Sequence, residues 1–172
     1  TAGQRAMDQL QTELDRLETG TGPAAEPIDA ATAVQTVLIG ADGVMVPFRP
    51  VAGSPKGRVV WREVKVAILA RLGHHTTRLG QIVTRLNRRR LVAVLGDIDA
   101  LSSRVWLEAL WQSVPSAKLV AWVSDGGQGL WRLFRERFEK TATGILDFYH
   151  VAQHLWTAAV AWLDAAQAQT WF

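Results

Sequence analysis

Apolar positions recur along the chain with two different periods, and these periods predict where helices and strands lie. Within residues 4–17 the spacing is three and four, as on one face of a helix, and the positions are Met7, Leu10, Leu14 and Leu17. Residues 19–27 are rich in Gly and Pro and predict a linker. We therefore expect an N-terminal amphipathic helix and linker over residues 1–30, and a main domain over residues 31–172.

Short apolar runs rich in β-branched residues predict strands in the main domain. Five such runs cover residues 34–41, 44–48, 61–72, 119–123 and 145–149. The turn-forming pair Asp42-Gly43 separates the first two, so we expect two strands joined tightly there. The third run favours a strand, with a helix as the alternative.

The remaining segments predict helices and one loop. Helical periodicity appears over residues 102–113, with Ser102 or Ser103 as a candidate N-cap, and again over residues 129–138 and 151–169. Residues 50–57 contain two Pro and two Gly and predict a loop. Strands alternating with helices indicate an α/β domain whose sheet is flanked by helices.

The amino-acid composition limits the class of protein and the metal ligands that the chain can offer. The chain has 172 residues, of which 48% are hydrophobic and 20% charged, as expected for one globular domain. It has no cysteine, so a metal ion must be held by carboxylates or imidazoles, and carboxylates favour Mg²⁺ or Mn²⁺. No apolar run is long enough to span a membrane, and no secretory signal is apparent, so we expect a cytoplasmic protein without a membrane partner.

Charge is unevenly distributed along the chain. Residues 1–30 carry six acidic and two basic side chains, a net charge of −4, which leaves +7 on the main domain. A basic domain suits a polyanionic partner such as nucleic acid. Arg88, Arg89 and Arg90, with nearby Arg85, form a basic cluster that either contacts DNA phosphates or is simply the solvated face of a surface helix or hairpin.

Two acids stand in matching positions. Asp42 and Asp125 each follow an apolar strand candidate and each precede a glycine. If their strands pair side by side, the carboxylates come together and repel each other unless a cation neutralises them. Two divalent ions held by such acids support phosphodiester chemistry by a two-metal mechanism. The alternative is that each Asp-Gly pair only marks a turn.

A second candidate cluster lies near the C-terminal helix. His150 and His154 are four residues apart, so on a helix they share one face and, with Asp147, offer three ligands for a metal such as zinc. The alternative is a structural carboxylate-histidine pair at a strand-to-helix junction. His74 and His75 are expected in an exposed loop.

Four ordered motifs then resemble the transposases of Kra-type bacterial insertion sequences, which are related to Mutator-like and other DDE enzymes. The motifs are residues 42–47 (DGVMVP), 61–65 (WREVK), 124–131 (SDGGQGLW) and 146–156 (LDFYHVAQHLW). The resemblance covers about residues 35–165. It implies an RNase H-like mixed sheet flanked by helices, which follows the N-terminal helix predicted above and ends in a C-terminal helix that begins a helical insertion.

The resemblance also implies roles for individual residues. Asp42 and Asp125 match the first and second metal-binding acids, and Asp147 and His150 match an Asp-x-x-His signature beside the active site. The third acid, a Glu, is expected beyond Phe172, so this chain alone should be inactive. Lys65, in the second motif, joins Arg88, Arg89 and Arg90 as a candidate DNA contact.

The implied activity is metal-dependent cleavage of DNA at element ends and strand transfer to target DNA, by a homo-oligomer associated with the bacterial nucleoid. Two alternatives remain open. One is an RNase H-like nuclease that does not join DNA ends. The other is a non-catalytic transposase remnant that acts as a DNA-binding or oligomerising module.

Overall fold

A computed structural model describes residues 2–49 and 59–171, so the loop predicted over residues 50–57 lies outside the described residues. The helices are α1 (Ala2–Glu18), α2 (Ala30–Ala33), α3 (Ile98–Trp111), α4 (Gln128–Arg137), α5 (Phe148–Trp162) and α6 (Ala165–Trp171), with a 3-10 turn at Val114–Ser116. The strands are β1 (Thr36–Phe48), β2 (Val60–Thr76), β3 (Ile82–Val94), β4 (Val120–Ser124) and β5 (Thr143–Leu146).

The five strands form one mixed sheet in the order β3-β2-β1-β4-β5. Strands β1, β2 and β3 pair antiparallel, whereas β4 runs parallel to β1 and β5 runs parallel to β4. Antiparallel neighbours can follow each other directly, but the parallel strands require crossovers, and α3 and α4 supply them. This is an RNase H-like α/β fold, so the predicted fold class is confirmed.

One side of the sheet, which we call the covered face, carries the hydrophobic core. Alternate side chains project to it, and Val37, Ile39, Leu69 and Trp122 have no exposed surface. Helices α3 and α4 pack on this face through apolar side chains, chiefly Leu101, Val105, Ala109, Leu130, Leu133 and Phe134. Burial of these side chains supplies the main favourable term in folding.

The other side of the sheet, the open face, is less well covered within the described residues. Ile68 and Val123 are only partly buried there, and Leu91 and Ile145 are 79% and 45% exposed. Their strand partners identify the face: Leu91 lies opposite Ile68, and Ile145 opposite Val123. The two faces of the sheet therefore have different roles in the packing of the domain.

Strand β1 differs from the two strands predicted for its segment. Asp42 and Gly43 continue the strand, because β2 pairs antiparallel with β1 along its full length and Asp42 lies opposite Val66. The prediction of a tight turn at this Asp-Gly pair is wrong. Pairing with a long neighbour outweighs the local turn preference of the two residues.

Two helix boundaries and one strand boundary also differ from prediction. Helix α3 is capped by Asp97, whose Oδ1 accepts a hydrogen bond from Ala100 N at 2.9 Å, and not by a serine, because the helix begins four residues before Ser102. Strand β5 ends at Leu146 because Asp147 caps α5. The long helix predicted over residues 151–169 is interrupted after Trp162.

The N-terminal helix is confirmed, and it contacts the main domain. Helix α1 lies against α3, and Glu26 in the following linker donates its backbone N–H to the carbonyl of Trp111 at 2.7 Å. Helix α2 is tied to the core through Arg71, which is buried and donates to the carbonyls of Ala33 and Gln112. Burial lowers the pKa of Arg71, and the nearby charge of Arg88 adds to this effect. The domain boundary near residue 30 stays a prediction.

Candidate active site

Asp42 and Asp125 occupy equivalent places on two neighbouring parallel strands. The pairing of β1 with β4 ends where Ala41 lies opposite Ser124. Asp42 is the next residue of β1, and Asp125 is the first residue after β4. The prediction that Asp42 ends its strand is wrong, because β1 continues to Phe48. Asp42 nevertheless lies beside the point where β4 ends. The expected juxtaposition of the two acids is present.

Backbone groups hold both carboxylates in place. The Gly43 N–H donates to Asp42 Oδ1 at 2.7 Å, and the Gly127 N–H donates to Asp125 Oδ1 at 2.9 Å. One oxygen of each carboxylate is engaged in this way, and both acids line the same cavity.

This cavity opens on the open face and has a volume of about 380 Å³. Its acidic and imidazole side chains are Asp42, Asp125, Asp147 and His150, and its apolar floor includes Val66, Ile68 and Val123. Among the described residues, no Lys or Arg lines it. Three carboxylates without a basic partner create a negative field, which attracts cations.

Asp147 and His150 reach the cavity from the junction of β5 and α5. Asp147 caps the helix, with Oδ1 accepting from Tyr149 N at 2.9 Å, and its own N–H donates to the carbonyl of Ser124 at 2.9 Å. This second bond ties the end of β5 to the end of β4, beside Asp125. His150 follows in the first turn of α5. The structure thus brings together all four residues of the predicted site, while their chemical roles stay predictions.

Trp131 is a positioning residue to which the sequence patterns gave no role in the site. Its indole N–H donates to the carbonyl of Asp125 at 2.7 Å, so α4 holds the loop that carries the acid. Gly144 on β5 makes room for this indole, because a Cβ there would lie 2.8 Å from Trp131 and 3.0 Å from Phe134. A tryptophan six residues after the acid, in the helix that directly follows a Gly-Gly turn, was the available signal.

The predicted basic contacts lie away from the cavity. Arg88 and Arg90 both bind Glu26, the first at 2.9 Å, and Arg90 Nε lies 3.9 Å from Glu108 of α3. Arg90 is paired with buried Leu69, so it belongs to the covered face. Arg89 is exposed. Contact of the three arginines with DNA stays a prediction, and for Arg88 and Arg90, which both bind Glu26, any such contact lies on the far side of the sheet from the carboxylates.

Lys65 also projects away from the acids. It lies opposite Gly43, one position along from the Asp42–Val66 pair, and therefore points to the covered face. Its ammonium group binds Glu63 at 3.0 Å. A role for Lys65 in DNA binding stays a prediction.

The histidines divide into two different pairs. His74 and His75 are exposed but belong to β2, so the prediction that they lie in a loop is wrong; pairing with β3 extends the strand through them. His150 and His154 share one face of α5, as predicted, with 3.0 Å between their Nε2 atoms. Within residues 2–49 and 59–171, no three His, Asp or Glu side chains are close enough to hold a metal ion together. The described residues therefore do not show the three-ligand zinc site that includes Asp147, and both this site and its structural alternative stay hypotheses.

The fold and the paired acids define an RNase H-like domain with a carboxylate-lined cavity. No family model matches the chain, and no curated protein matches it in sequence. The chain is similar to one chain of the Drosophila P element transposase strand transfer complex, with a TM-score of 0.41 and 14% identity over 80% of this chain. It spans 31% of the length of that chain. At these values the likeness carries no functional inference, and the fold class follows from the strand order.

Within the described part of the chain, no helix is both long enough and apolar enough to cross a membrane.

Proposed function

We propose that this chain forms part of the catalytic core of a DNA transposase, in which Asp42 and Asp125 bind divalent metal for cleavage and strand transfer. One observation carries the proposal: the two acids lie side by side where parallel strands β1 and β4 stop pairing, and both line one cavity. The four motifs that resemble bacterial insertion-sequence transposases include both acids and Asp147 and His150. The insertion-sequence origin is part of the proposal.

The donor set suits Mg²⁺ or Mn²⁺. The cavity offers carboxylate oxygens, which hard cations prefer, and no described Lys or Arg competes with a cation there. Asp42 and Asp125 would hold the metal. A bound divalent ion activates an attacking water or 3′-hydroxyl and stabilises the leaving oxygen of a phosphodiester. Full two-metal chemistry requires a further carboxylate, in keeping with the absence of a three-ligand group among the described residues.

The chain's own residues contribute positioning. Backbone N–H groups of Gly43 and Gly127 fix one oxygen of each acid, and the Trp131 indole fixes the loop that carries Asp125. Pre-positioned groups lower the barrier because less reorganisation is needed when the reaction occurs. His150 borders the cavity, where its imidazole is suited to donate a hydrogen bond to a phosphate oxygen.

The test uses the intact protein that carries this chain, Mg²⁺ or Mn²⁺, and labelled duplex DNA with the terminal sequences of its own element. Asp42→Asn and Asp125→Asn should each reduce formation of cleaved and joined products by more than about 100-fold, because a ligand is lost. Asp99→Asn is the matched control, since Asp99 is 69% exposed and pairs with Arg132 on the surface. Circular dichroism checks that each variant is folded.

The possible outcomes separate the competing functions. Cleaved DNA without any joined product would replace the transposase with an RNase H-like nuclease. DNA binding without cleaved or joined products, unchanged in both aspartate variants, would favour a non-catalytic module that binds DNA or oligomerises. The homo-oligomer, the DNA partners and a location at the bacterial nucleoid belong to the same proposal, and size-exclusion chromatography with light scattering measures the first of these.

A further inference from the structure

The two histidines of α5 form a chelating pair that the proposed reaction does not use. Their Nε2 atoms are 3.0 Å apart and their ring centroids 4.6 Å apart. Helix α5 has no Lys, Arg, Asp or Glu between Phe148 and Trp162, so no charged side chain on the helix competes for either imidazole. His154 is exposed, and both rings line a cleft that Asp125 also borders.

The separation of the two nitrogens fits the geometry of a transition-metal site. With metal–nitrogen bonds of about 2.0–2.1 Å, two nitrogens 3.0 Å apart subtend about 91–97° at the metal. This is the angle between neighbouring ligands in square-planar or octahedral coordination. Imidazole is a preferred ligand of Ni²⁺, Cu²⁺ and Zn²⁺, whereas Mg²⁺ prefers oxygen.

We propose that His150 and His154 bind one late first-row divalent metal ion, such as Ni²⁺ or Cu²⁺, at the rim of the carboxylate cavity. The remaining coordination positions are open to water, since no third protein ligand lies close enough among the described residues. The site is separate from the carboxylate pair in both its donor atoms and its metal preference. Binding itself does not depend on the proposed transposase function.

Occupancy of this site has a consequence for the cavity, and this part does rest on the proposed function. His150 lines the carboxylate cavity as well as the cleft that contains His154. A metal bound by Nε2 prevents that nitrogen from donating to a phosphate. A late transition metal should therefore lower DNA processing in the presence of Mg²⁺, and His154→Ala should relieve this inhibition.

Isothermal titration of the intact protein with NiCl₂ and CuCl₂ tests the binding. His154→Ala should weaken affinity at least about tenfold, and excess MgCl₂ should not compete. The variant should fold normally, because position 154 is exposed and Ala favours helix. His74→Ala/His75→Ala is the matched control: adjacent strand residues point to opposite faces and cannot chelate one ion, so affinity should be unchanged.

A second variant keeps the number of histidines and changes only their spacing. In His154→Ala/Thr157→His the imidazoles are seven residues apart, about 10.5 Å along the helix, and cannot share one metal. The affinity of this variant for Ni²⁺ and Cu²⁺ should match that of His154→Ala. Equal affinity in the wild type and either His154 variant would overturn the proposal and leave the pair as a hydrogen bond between two imidazoles. Repeating the titration on Asp42→Asn/Asp125→Asn, with affinity expected to be unchanged, separates this site from the carboxylate pair.

Discussion

The covered face and the open face of the sheet carry different kinds of side chain, although the same strands form both. On the covered face Val37, Ile39 and Trp122 are fully buried beneath α3 and α4. On the open face the neighbouring positions carry Asp42 and partly exposed apolar side chains. Because side chains alternate along a strand, one face supplies stability while the other is available for charged groups that would be costly to bury. Mutations on the two faces should therefore separate stability from activity.

The largest stability effect is expected for Trp122→Ala on the covered face. The Trp122 ring stacks on Phe138 with 5.4 Å between the ring centroids, and its centroid lies 6.0 Å from that of Phe134. Its indole N–H donates to Ser124 Oγ at 3.0 Å. Removal of the ring should lower the free energy of unfolding by about 3–5 kcal/mol. Urea denaturation followed by circular dichroism measures this, and a loss below about 1 kcal/mol would mean that the covered face is not the core.

A smaller effect is expected where the covering helix begins. Asp97→Ala removes the cap of α3 and should lower the free energy of unfolding by about 1 kcal/mol, whereas Asp97→Asn should stay close to the wild type. The same urea titrations compare the two variants. Equal losses for Ala and Asn would show that the charge of Asp97, and not its capping hydrogen bond, stabilises the helix.

A pH-dependent effect is expected at Glu108 on α3. Burial raises the pKa of Glu108, the Arg90 charge opposes this, and Glu26 adds to it. The folded state then binds more protons than the unfolded state between the ordinary Glu pKa and the raised one. The free energy of unfolding should therefore fall as pH rises through that window. In Glu108→Gln, melting curves recorded from acidic to neutral pH should show a weaker dependence of the free energy of unfolding on pH. A dependence as steep as that of the wild type would contradict this prediction.

The smallest effect is expected on the open face. Leu91 is 79% exposed, so Leu91→Gln should change the free energy of unfolding by less than about 0.5 kcal/mol. The measurement is again denaturation in urea. A loss comparable to that of Trp122→Ala would show that the open face is buried in the folded protein, and the contrast between the two faces would fail.

Much of the fold was predictable from local patterns. The runs around Val120–Ser124 and Gln128–Arg137 matched their elements closely, because each has a clear period and ends at glycine or a charged residue. The juxtaposition of Asp42 and Asp125 was also predictable, since an Asp-Gly pair followed each of two strand candidates. Local patterns failed where a distant partner decided the outcome.

Two cases illustrate that failure. The Asp42-Gly43 pair has the composition of a turn, yet the register with β2, more than twenty residues away, keeps it extended. The cluster of Arg88 and Arg90 has the composition of a phosphate contact, yet both side chains bind Glu26, over sixty residues earlier in the chain. Neither partner is visible from the spacing of residues within the motif.

Gly144 links a seemingly unrelated packing position to the placement of Asp125. Any larger side chain on this residue would push against the Trp131 ring, whose indole holds the carbonyl of Asp125. Tolerance to substitution at position 144 should consequently follow the placement of Asp125 as well as strand stability. In a mutational scan, this glycine should behave like a residue that positions Asp125, although it does not line the carboxylate cavity.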